Sequence, residues 1–251
     1  MTHDPALLRW QVFYLPKKGH TGDEYEDAWA ADPARGRFAL ADGASETSFA
    51  GRWAQLLTED FLAAAKPSAL PEWIAGSRRR WASEVMGLEL PWYAEMKREQ
   101  GAFATLLGLG VRPPEPDRAG KWRAVAVGDS CLIQVRNGGC VETFPLKKAS
   151  DFGNLPRLIG SRGALPPTAE GCSGSFLTGD CLFLMTDALA QWFLQMQEGG
   201  GRPWEAVAPL LSAAQPDDAF ADWIEALRQS DGLRNDDVTL LTIEPGSSPR
   251  E

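Results

Sequence analysis

The sequence is poor in the residues that build zinc sites and disulfides. It has two histidines and four cysteines among 251 residues, and no two cysteines form a C-x-x-C pair. A zinc site with the usual Cys and His ligands is therefore not expected. Cys131 and Cys181 lie inside apolar runs, which is typical of cysteines that act as small buried hydrophobic residues.

The chain also lacks an excess of positive charge and a long apolar run. Its net charge is −9 at pH 7, so non-specific binding of nucleic acid is not expected. No apolar stretch is long enough to span a bilayer. The N-terminal residues lack the positive start and apolar region of a signal peptide. We therefore expect a cytoplasmic protein with neither a nucleic-acid nor a membrane partner.

The residues that are present suit a globular protein. Hydrophobic residues make up 44% of the chain and charged residues 24%, which is ordinary for a soluble domain. A chain of this length can bury a sizeable core. Because there is no internal repeat and no long low-complexity linker, we expect residues 1–251 to form a single domain.

Hydrophobic patterning predicts strands separated by pairs of helices. Strands are expected at 7–15, 36–42, 101–111, 180–188 and 235–245, with three more across 122–144. Helices are expected after the second strand to about residue 65, at 70–100 with an interruption near Pro91, and at 189–197, 203–214 and 219–229. The stretch 145–174 is predicted to be irregular. Strand-rich stretches between helix pairs favour an α+β fold over a regular βαβ repeat.

Carboxylates mark the tips of several of these strands. Four are aspartates: Asp42, Asp129, Asp187 and Asp236. The acid pair Glu26 and Asp27 precedes the apolar-rich stretch "AWAAD". In an antiparallel arrangement such tips can lie at one edge of a sheet. Any one of these acids can instead cap a helix or stabilise a turn, so the ordered set, and no single member, favours a shared site.

A shared site of this kind predicts a hard metal ion. Clustered carboxylates repel each other and lose hydration when they are buried, and a bound cation offsets both effects. Oxygen ligands without His or Cys select magnesium, manganese or calcium. Two such ions about 4 Å apart can share a hydroxide and clamp a phosphate.

Six stretches of the chain carry the acids and their surroundings: "EDA" (26–28), "FALADGASETSFAGRWA" (38–54), "GAFATLL" (101–107), "AVAVGDSCLIQVRNGG" (124–139), "CLFLMTDALAQWF" (181–193) and "DDVTLLTI" (236–243). Together, and in this order, they resemble the motifs of the metal-dependent type 2C (PPM) serine/threonine protein phosphatases, in their bacterial branch. No single motif is specific, but the set covers nearly the whole chain. The resemblance implies a central sandwich of two antiparallel β-sheets flanked by helices.

The same resemblance implies a centre of two Mn²⁺ or Mg²⁺ ions, with a third, weaker ion. The family's ligand positions fall on Glu26, Asp27, Asp42, Gly43, Asp129, Asp187 and Asp236. Asp42 would bridge both ions, and the carbonyl oxygen of Gly43 would bind one of them. Asp187 and Asp236 would complete the other site, and Asp129 matches an acid linked to the third ion. The acid pair would bind a metal directly or through water.

The activity implied by the resemblance is hydrolysis of phosphoserine or phosphothreonine in proteins. A metal-bridging hydroxide would attack phosphorus without forming a phosphoenzyme. Asp42, Asp187 and Asp236 would be the catalytic carboxylates that hold the metal ions. Such an enzyme would act in signalling and oppose a serine/threonine kinase.

The sequence departs from the family where the substrate phosphate is bound. Many members carry an Arg before the acid pair, but "KKGHTGDEYEDA" (17–28) has none. His20 would then contact phosphate or protonate the leaving group, unless it is a solvated loop residue. Lys17 and Lys18 are the other cations within reach. Asp237, where Asn is common, either tightens metal binding or faces solvent.

Two other functions stay open. The missing Arg and the divergent segment 145–174 suit a catalytically silent sensor or phosphoprotein-binding subunit. The same metal site also suits a hydrolase of small phosphoesters. Metal-dependent turnover separates the silent protein from the enzymes, and a preference for phosphopeptides separates the two enzymes.

Overall fold

Two antiparallel β-sheets form the centre of the structure. The structure is a computed structural model, and it describes residues 8–44, 49–86, 99–153, 155–163, 166–230 and 232–246. The strands are β1 (Leu8–Leu15), β2 (Ala28–Asp32), β3 (Arg37–Ala41), β4 (Phe103–Ala104), β5 (Leu106–Arg112), β6 (Gly120–Val127), β7 (Cys131–Arg136), β8 (Gly139–Phe144), β9 (Ile159–Gly160), β10 (Glu170–Phe176), β11 (Asp180–Met185) and β12 (Val238–Pro245). The helices are α1 (Ala50–Ala63), α2 (Leu70–Met86), α3 (Asp187–Glu198), α4 (Trp204–Leu211) and α5 (Pro216–Gln229).

The two sheets have five strands each, in an order that mixes both halves of the chain. The first sheet runs β1–β12–β11–β7–β8, and the second runs β10–β6–β5–β3–β2. Strands β4 and β9 form a separate pair. Between β7 and β8, Asn137 and Gly138 both have positive φ angles, 51° and 72°. These are the angles that the Asn-Gly pair supplies in a tight hairpin turn, as the sequence predicts.

Hydrophobic side chains alternate along the strands, so one face of each sheet packs against the opposite sheet. Phe38 and Leu109 point inward from the second sheet, and Leu184 and Leu241 from the first, all fully buried. A polar contact crosses the same interior, because the Trp122 indole N–H donates to Gln134 Oε1 over 3.0 Å. The sandwich core therefore has a satisfied buried amide within an apolar layer.

Helices cover the outer face of each sheet. Trp53 of α1 packs on the second sheet, and its indole N–H donates to the carbonyl oxygen of Ile159 over 2.7 Å. Phe193 of α3 and Phe220 of α5 pack on the first sheet. The layer order is helix, sheet, sheet, helix, so the expected α+β sandwich flanked by helices is confirmed.

The largest differences from the sequence prediction are two edge strands. Strand β2 is not predicted because it is short and largely alanine. Strand β10 begins within the stretch predicted to be irregular and continues past its end, so that prediction is wrong for its last part. Its "EGCSGSF" has only two hydrophobic residues, too few to predict a strand from the sequence, and it pairs along its whole length with β6. The predicted helix at 70–100 extends as α2 to Met86, and 87–98 lie outside the described residues.

None of the helices within these described ranges combines the length and hydrophobicity that a membrane span requires.

Candidate metal centre

Three carboxylates meet at one end of the sandwich. Asp42 follows β3, Asp129 lies just beyond β6, and Asp187, the first residue of α3, lies two positions after the end of β11. Each offers an oxygen, and these oxygens lie within 4.8 Å of one another. Both sheets contribute because β6 and β11 end, and β7 begins, at this edge of the sandwich.

Thr105 holds the backbone around this group. Its hydroxyl accepts the backbone N–H of Asp42 over 2.9 Å, and its own N–H donates to the Asp42 carbonyl over 2.8 Å. The Thr105 hydroxyl also lies 3.0 Å from the hydroxyl of Ser130. Thr105 therefore links the backbone of Asp42 to Ser130, the residue that follows Asp129.

Gly128 turns the chain from β6 into Asp129, and we expect Gly128→Ala to destabilise the protein. Its φ is +106°, and an added Cβ would lie 2.6 Å from Thr105 Cγ2. Strain and overpacking together predict a loss of about 2–4 kcal/mol in the free energy of unfolding, measured by urea titration.

The matched control for this change is Gly110→Ala in β5. The nearest atom to its added Cβ is 3.9 Å away, so a change of less than about 1 kcal/mol is expected. Equal stabilities of the two variants would contradict the role given to Gly128.

Arg234 lies on the rim of the carboxylate group. Its guanidinium contacts Asp187 Oδ2, and the same nitrogen lies 3.2 Å from Asp236 Oδ2. In the described part of the chain, Asp236 lies outside the three-carboxylate group and is linked to it by this guanidinium. Sequence patterning does not single out Arg234, although it lies two residues before a predicted ligand.

The acid pair divides into a buried and a more exposed member. Asp27 is 3% exposed and accepts a 2.7 Å hydrogen bond from the hydroxyl of Thr239. The Tyr25 phenol contacts the same hydroxyl. Glu26 lies 3.7 Å from Lys17 Nζ. Over the ranges described, neither acid is part of the three-carboxylate group.

Asp237 does not face solvent, which corrects one of the two predictions for it. It is buried, and its two carboxylate oxygens accept the backbone N–H groups of Lys17 and Glu26, each over 2.8 Å. A carboxylate that accepts two amide hydrogens is satisfied without solvent. Asp237 therefore fastens the loop that carries the acid pair to the start of β12.

Arg228 of α5 also links the N-terminal loop to the segment before β12. Its guanidinium donates to the carbonyl oxygens of Pro16, over 3.1 Å, and of Asp236, over 2.6 Å. The side chain also pairs with Glu225 at 2.7 Å. Arg228 thus positions the backbone of Asp236 against the N-terminal loop.

The remaining two predicted residues lie at the edges of the site. Gly43 donates its N–H to the Glu26 carbonyl over 3.2 Å, and an added Cβ would lie 2.7 Å from that oxygen. No side chain fits there. His20 is exposed, and its backbone N–H donates to the Lys17 carbonyl over 3.0 Å. Metal binding by Gly43 and proton transfer by His20 stay predictions.

Burial makes negative charge costly throughout the group. It raises the pKa of Asp42 well above its ordinary range, and the charges of Asp27 and Asp187 add to this effect. Burial, then the charge of Asp187, raises the pKa of Asp129 to about 7. Burial also raises the pKa of Asp187, with Arg234 opposing it. The group therefore favours a proton or a bound cation.

A polar cavity of about 530 Å³ adjoins the rim. Its lining includes Lys18, Gln191, Arg228, Arg234 and Asn235, so positive charge and amides face it. Among the described residues, no carboxylate lines it.

Comparison with solved structures identifies proteins that resemble this chain, whereas comparison by sequence does not. No protein-family model matches the chain, and no curated protein matches it by sequence. The serine/threonine phosphatase PstP/Ppp of Mycobacterium tuberculosis matches with 16% identity, 96% of this chain, 100% of that chain and a TM-score of 0.63.

Two further solved structures contain bound groups. The catalytic domain of the phosphatase PstP in complex with two manganese ions matches with 18% identity, 96% of this chain, 99% of that chain and a TM-score of 0.61. The PPM phosphatase MsPP of Mycobacterium smegmatis in complex with cacodylate matches with 18% identity, 96% of this chain, 100% of that chain and a TM-score of 0.57. This chain therefore has the fold of the bacterial PPM-type serine/threonine phosphatases.

Proposed function

We propose that this protein is a metal-dependent phosphatase that hydrolyses phosphoserine and phosphothreonine in proteins. The observation that carries the proposal is the convergence of Asp42, Asp129 and Asp187 from both sheets. The fold supports it, since the structures that match are PPM-type phosphatases.

The donor set suits two Mn²⁺ or Mg²⁺ ions and a weaker third. All three groups are carboxylates, the ligand type that hard ions prefer. Asp129 Oδ1 is buried without a hydrogen-bond partner among the described residues, which is costly unless a proton or a cation neutralises the carboxylate. The complex of PstP with two manganese ions supports manganese. Asp42, Asp129 and Asp187 would hold the ions, and Asp236, the acid pair and the Gly43 carbonyl would contribute further oxygen ligands.

The chain's own residues hold and orient the reactants. Bound divalent ions supply Lewis acidity toward a water molecule and the phosphate oxygens. Asp42, Asp187 and Asp236 fix where that acidity acts. Arg234, on the solvent side of Asp187 and Asp236, binds the phosphate oxygens in the role that no arginine before the acid pair fills. His20 donates the proton to the leaving oxygen from the exposed loop.

One observation favours the silent alternative. Arg234 already supplies a positive charge to Asp187 and Asp236, as a metal ion would. A protein stabilised in this way can keep the fold without catalysis.

Phosphate release from a phosphothreonine peptide tests the proposal. We expect turnover with manganese and none with a chelator. Comparison with para-nitrophenyl phosphate separates a protein phosphatase from a hydrolase of small esters, since only the former prefers the peptide. A folded protein that binds manganese in a titration and releases no phosphate would overturn the proposal in favour of the silent sensor.

The metal-free protein is expected to lose stability as the pH rises from about 5 to about 8. The pKa of Asp129 is raised by burial to about 7, so the folded state holds this proton more tightly than the unfolded chain does. The resulting stabilisation is full below about pH 4 and is lost as the pH passes through about 7. Thermal unfolding with a chelator at several pH values measures the effect.

Manganese should reverse this trend. It binds the deprotonated carboxylates, so it should raise the melting temperature more at about pH 8 than at about pH 5. The variant Asp129→Asn should make the pH dependence of the metal-free protein less steep, with the remainder due to Asp42 and Asp187, whose pKa values burial also raises. An unchanged slope in that variant would count against the assignment to Asp129.

A further inference from the structure

Six basic side chains line a trough of about 600 Å³ on the second sheet, at the end away from the carboxylates. This basic trough is lined by Arg35, Arg37, Arg112, Arg118, Lys121 and Arg123. No acidic side chain of the described residues lines it. Such a concentration of positive charge stands out in a chain whose net charge is −9.

The trough exists because α1 covers only part of the sheet's outer face. Phe61 lies near the end of α1 and packs against Val125. Beyond it, Gly110 of β5 lies in register between Arg37 of β3 and Arg123 of β6. An added Cβ at Gly110 would meet only the Arg123 carbonyl oxygen, at 3.9 Å. The floor between these two arginines is therefore open.

Much of the positive charge in the trough is uncompensated. Arg112 Nη2 is buried and has no hydrogen-bond partner in the described part of the chain. Across the same ranges, Arg118, Lys121 and Arg123 form no ion pair. Arg118, Lys121 and Arg123 are exposed, so an anionic ligand can pair with them directly.

We propose that the basic trough binds an extended acidic segment of a partner protein. Lys121 and Arg123 lie on the same side of β6, about 7 Å apart. Alternate side chains of an extended peptide have the same spacing, so carboxylates at every second position match them. Arg37 lies two strands from Arg123, about 10 Å away. Cations spread over a sheet in this way suit a chain of carboxylates better than a single compact phosphate.

The trough is separate from the carboxylate group. Arg37 is the first residue of β3 and Asp42 follows its last, a distance of about 17 Å along an extended strand. A peptide in the trough leaves the candidate metal centre open. Peptide binding in the trough can be measured without turnover at the metal centre.

Fluorescence anisotropy with a labelled peptide of about twelve residues tests the inference. The peptide carries Glu at alternate positions, and its control carries Gln instead. A chelator is present so that peptide carboxylates find no metal. We expect the Glu peptide to bind with an affinity that falls as salt rises, and the Gln peptide not to bind.

Two double variants with the same loss of charge locate the site. Lys121→Gln with Arg123→Gln should weaken binding by about tenfold. Arg9→Gln with Arg202→Gln removes two exposed charges elsewhere and should leave affinity within about twofold of the parent. Gly110→Val fills the open floor without changing charge and should also weaken binding.

Three results would overturn the inference. One is equal weakening by both double variants, which would indicate a general effect of net charge. Another is unchanged binding after substitution of Lys121 and Arg123. The third is binding of inorganic tripolyphosphate without binding of the Glu peptide, which would make the trough a site for small anions.

Discussion

Asp42→Asn and Asp187→Asn should each abolish most of the manganese-dependent phosphate release. Each change removes one anionic ligand from the three-carboxylate group and keeps the size of the side chain. Loss of a direct ligand should cost at least as much as loss of its supporting contacts, so kcat/KM should fall by about a hundredfold or more. Asp236→Asn should cost less, about tenfold, because in the described part of the chain its carboxylate lies outside the three-carboxylate group and is linked to it by Arg234.

The stability of these variants separates a catalytic effect from misfolding. Burial raises the pKa of Asp42, so its charge opposes folding when no metal is bound. Metal-free Asp42→Asn should therefore unfold at the same temperature as the parent or at a higher one. Asp117→Asn, in the exposed loop between β5 and β6, is the control for losing one negative charge. An Asp42→Asn variant with full turnover would contradict the assignment of the site.

Arg234→Gln should weaken substrate binding and strengthen metal binding. If the guanidinium binds phosphate, its loss removes charge-assisted hydrogen bonds worth about 1.5–3 kcal/mol. The KM for a phosphopeptide should rise and kcat/KM should fall by about ten- to a hundredfold. Manganese affinity should increase, because the positive charge beside Asp187 and Asp236 no longer competes with the ion.

Weaker substrate binding together with stronger manganese binding in Arg234→Gln would distinguish a phosphate-binding role from a structural one. A residue that only stabilises the loop before β12 would lower both affinities together. Arg234→Lys keeps the charge but not the two-pronged geometry, so it should restore part of the substrate affinity. Arg202→Gln, at an exposed ion pair, is the control. An inactive parent that gains turnover in Arg234→Gln would identify Arg234 as the group that silences the site.

Some features of this protein follow from short stretches of its sequence. Strand β7, the Asn137–Gly138 turn and strand β8 are predicted where they occur, because each depends on neighbouring residues only. The helix after β11 is also predicted, since its apolar residues recur with a helical period. The acids at strand ends mark the candidate site for the same reason, because a strand's end is visible in its own pattern.

Contacts between distant residues decided the rest. Asp237 is buried because it binds the N–H groups of Lys17 and Glu26, 220 and 211 positions away. Arg234 contacts Asp187 across 47 positions. No local pattern encodes such partners, so sequence alone left Asp237 undecided and Arg234 unnoticed.

In the candidate site, local sequence sets which acids are present, and contacts between distant residues set how they are arranged. The sequence by itself determined which residues carry the charge and which ends of the strands hold them. Only the packing of the two sheets decided that Asp129 joins Asp42 and Asp187, while Asp236 lies behind a guanidinium. Chemical identity is local to a residue, whereas distance and burial depend on the strands and helices that the fold places around it.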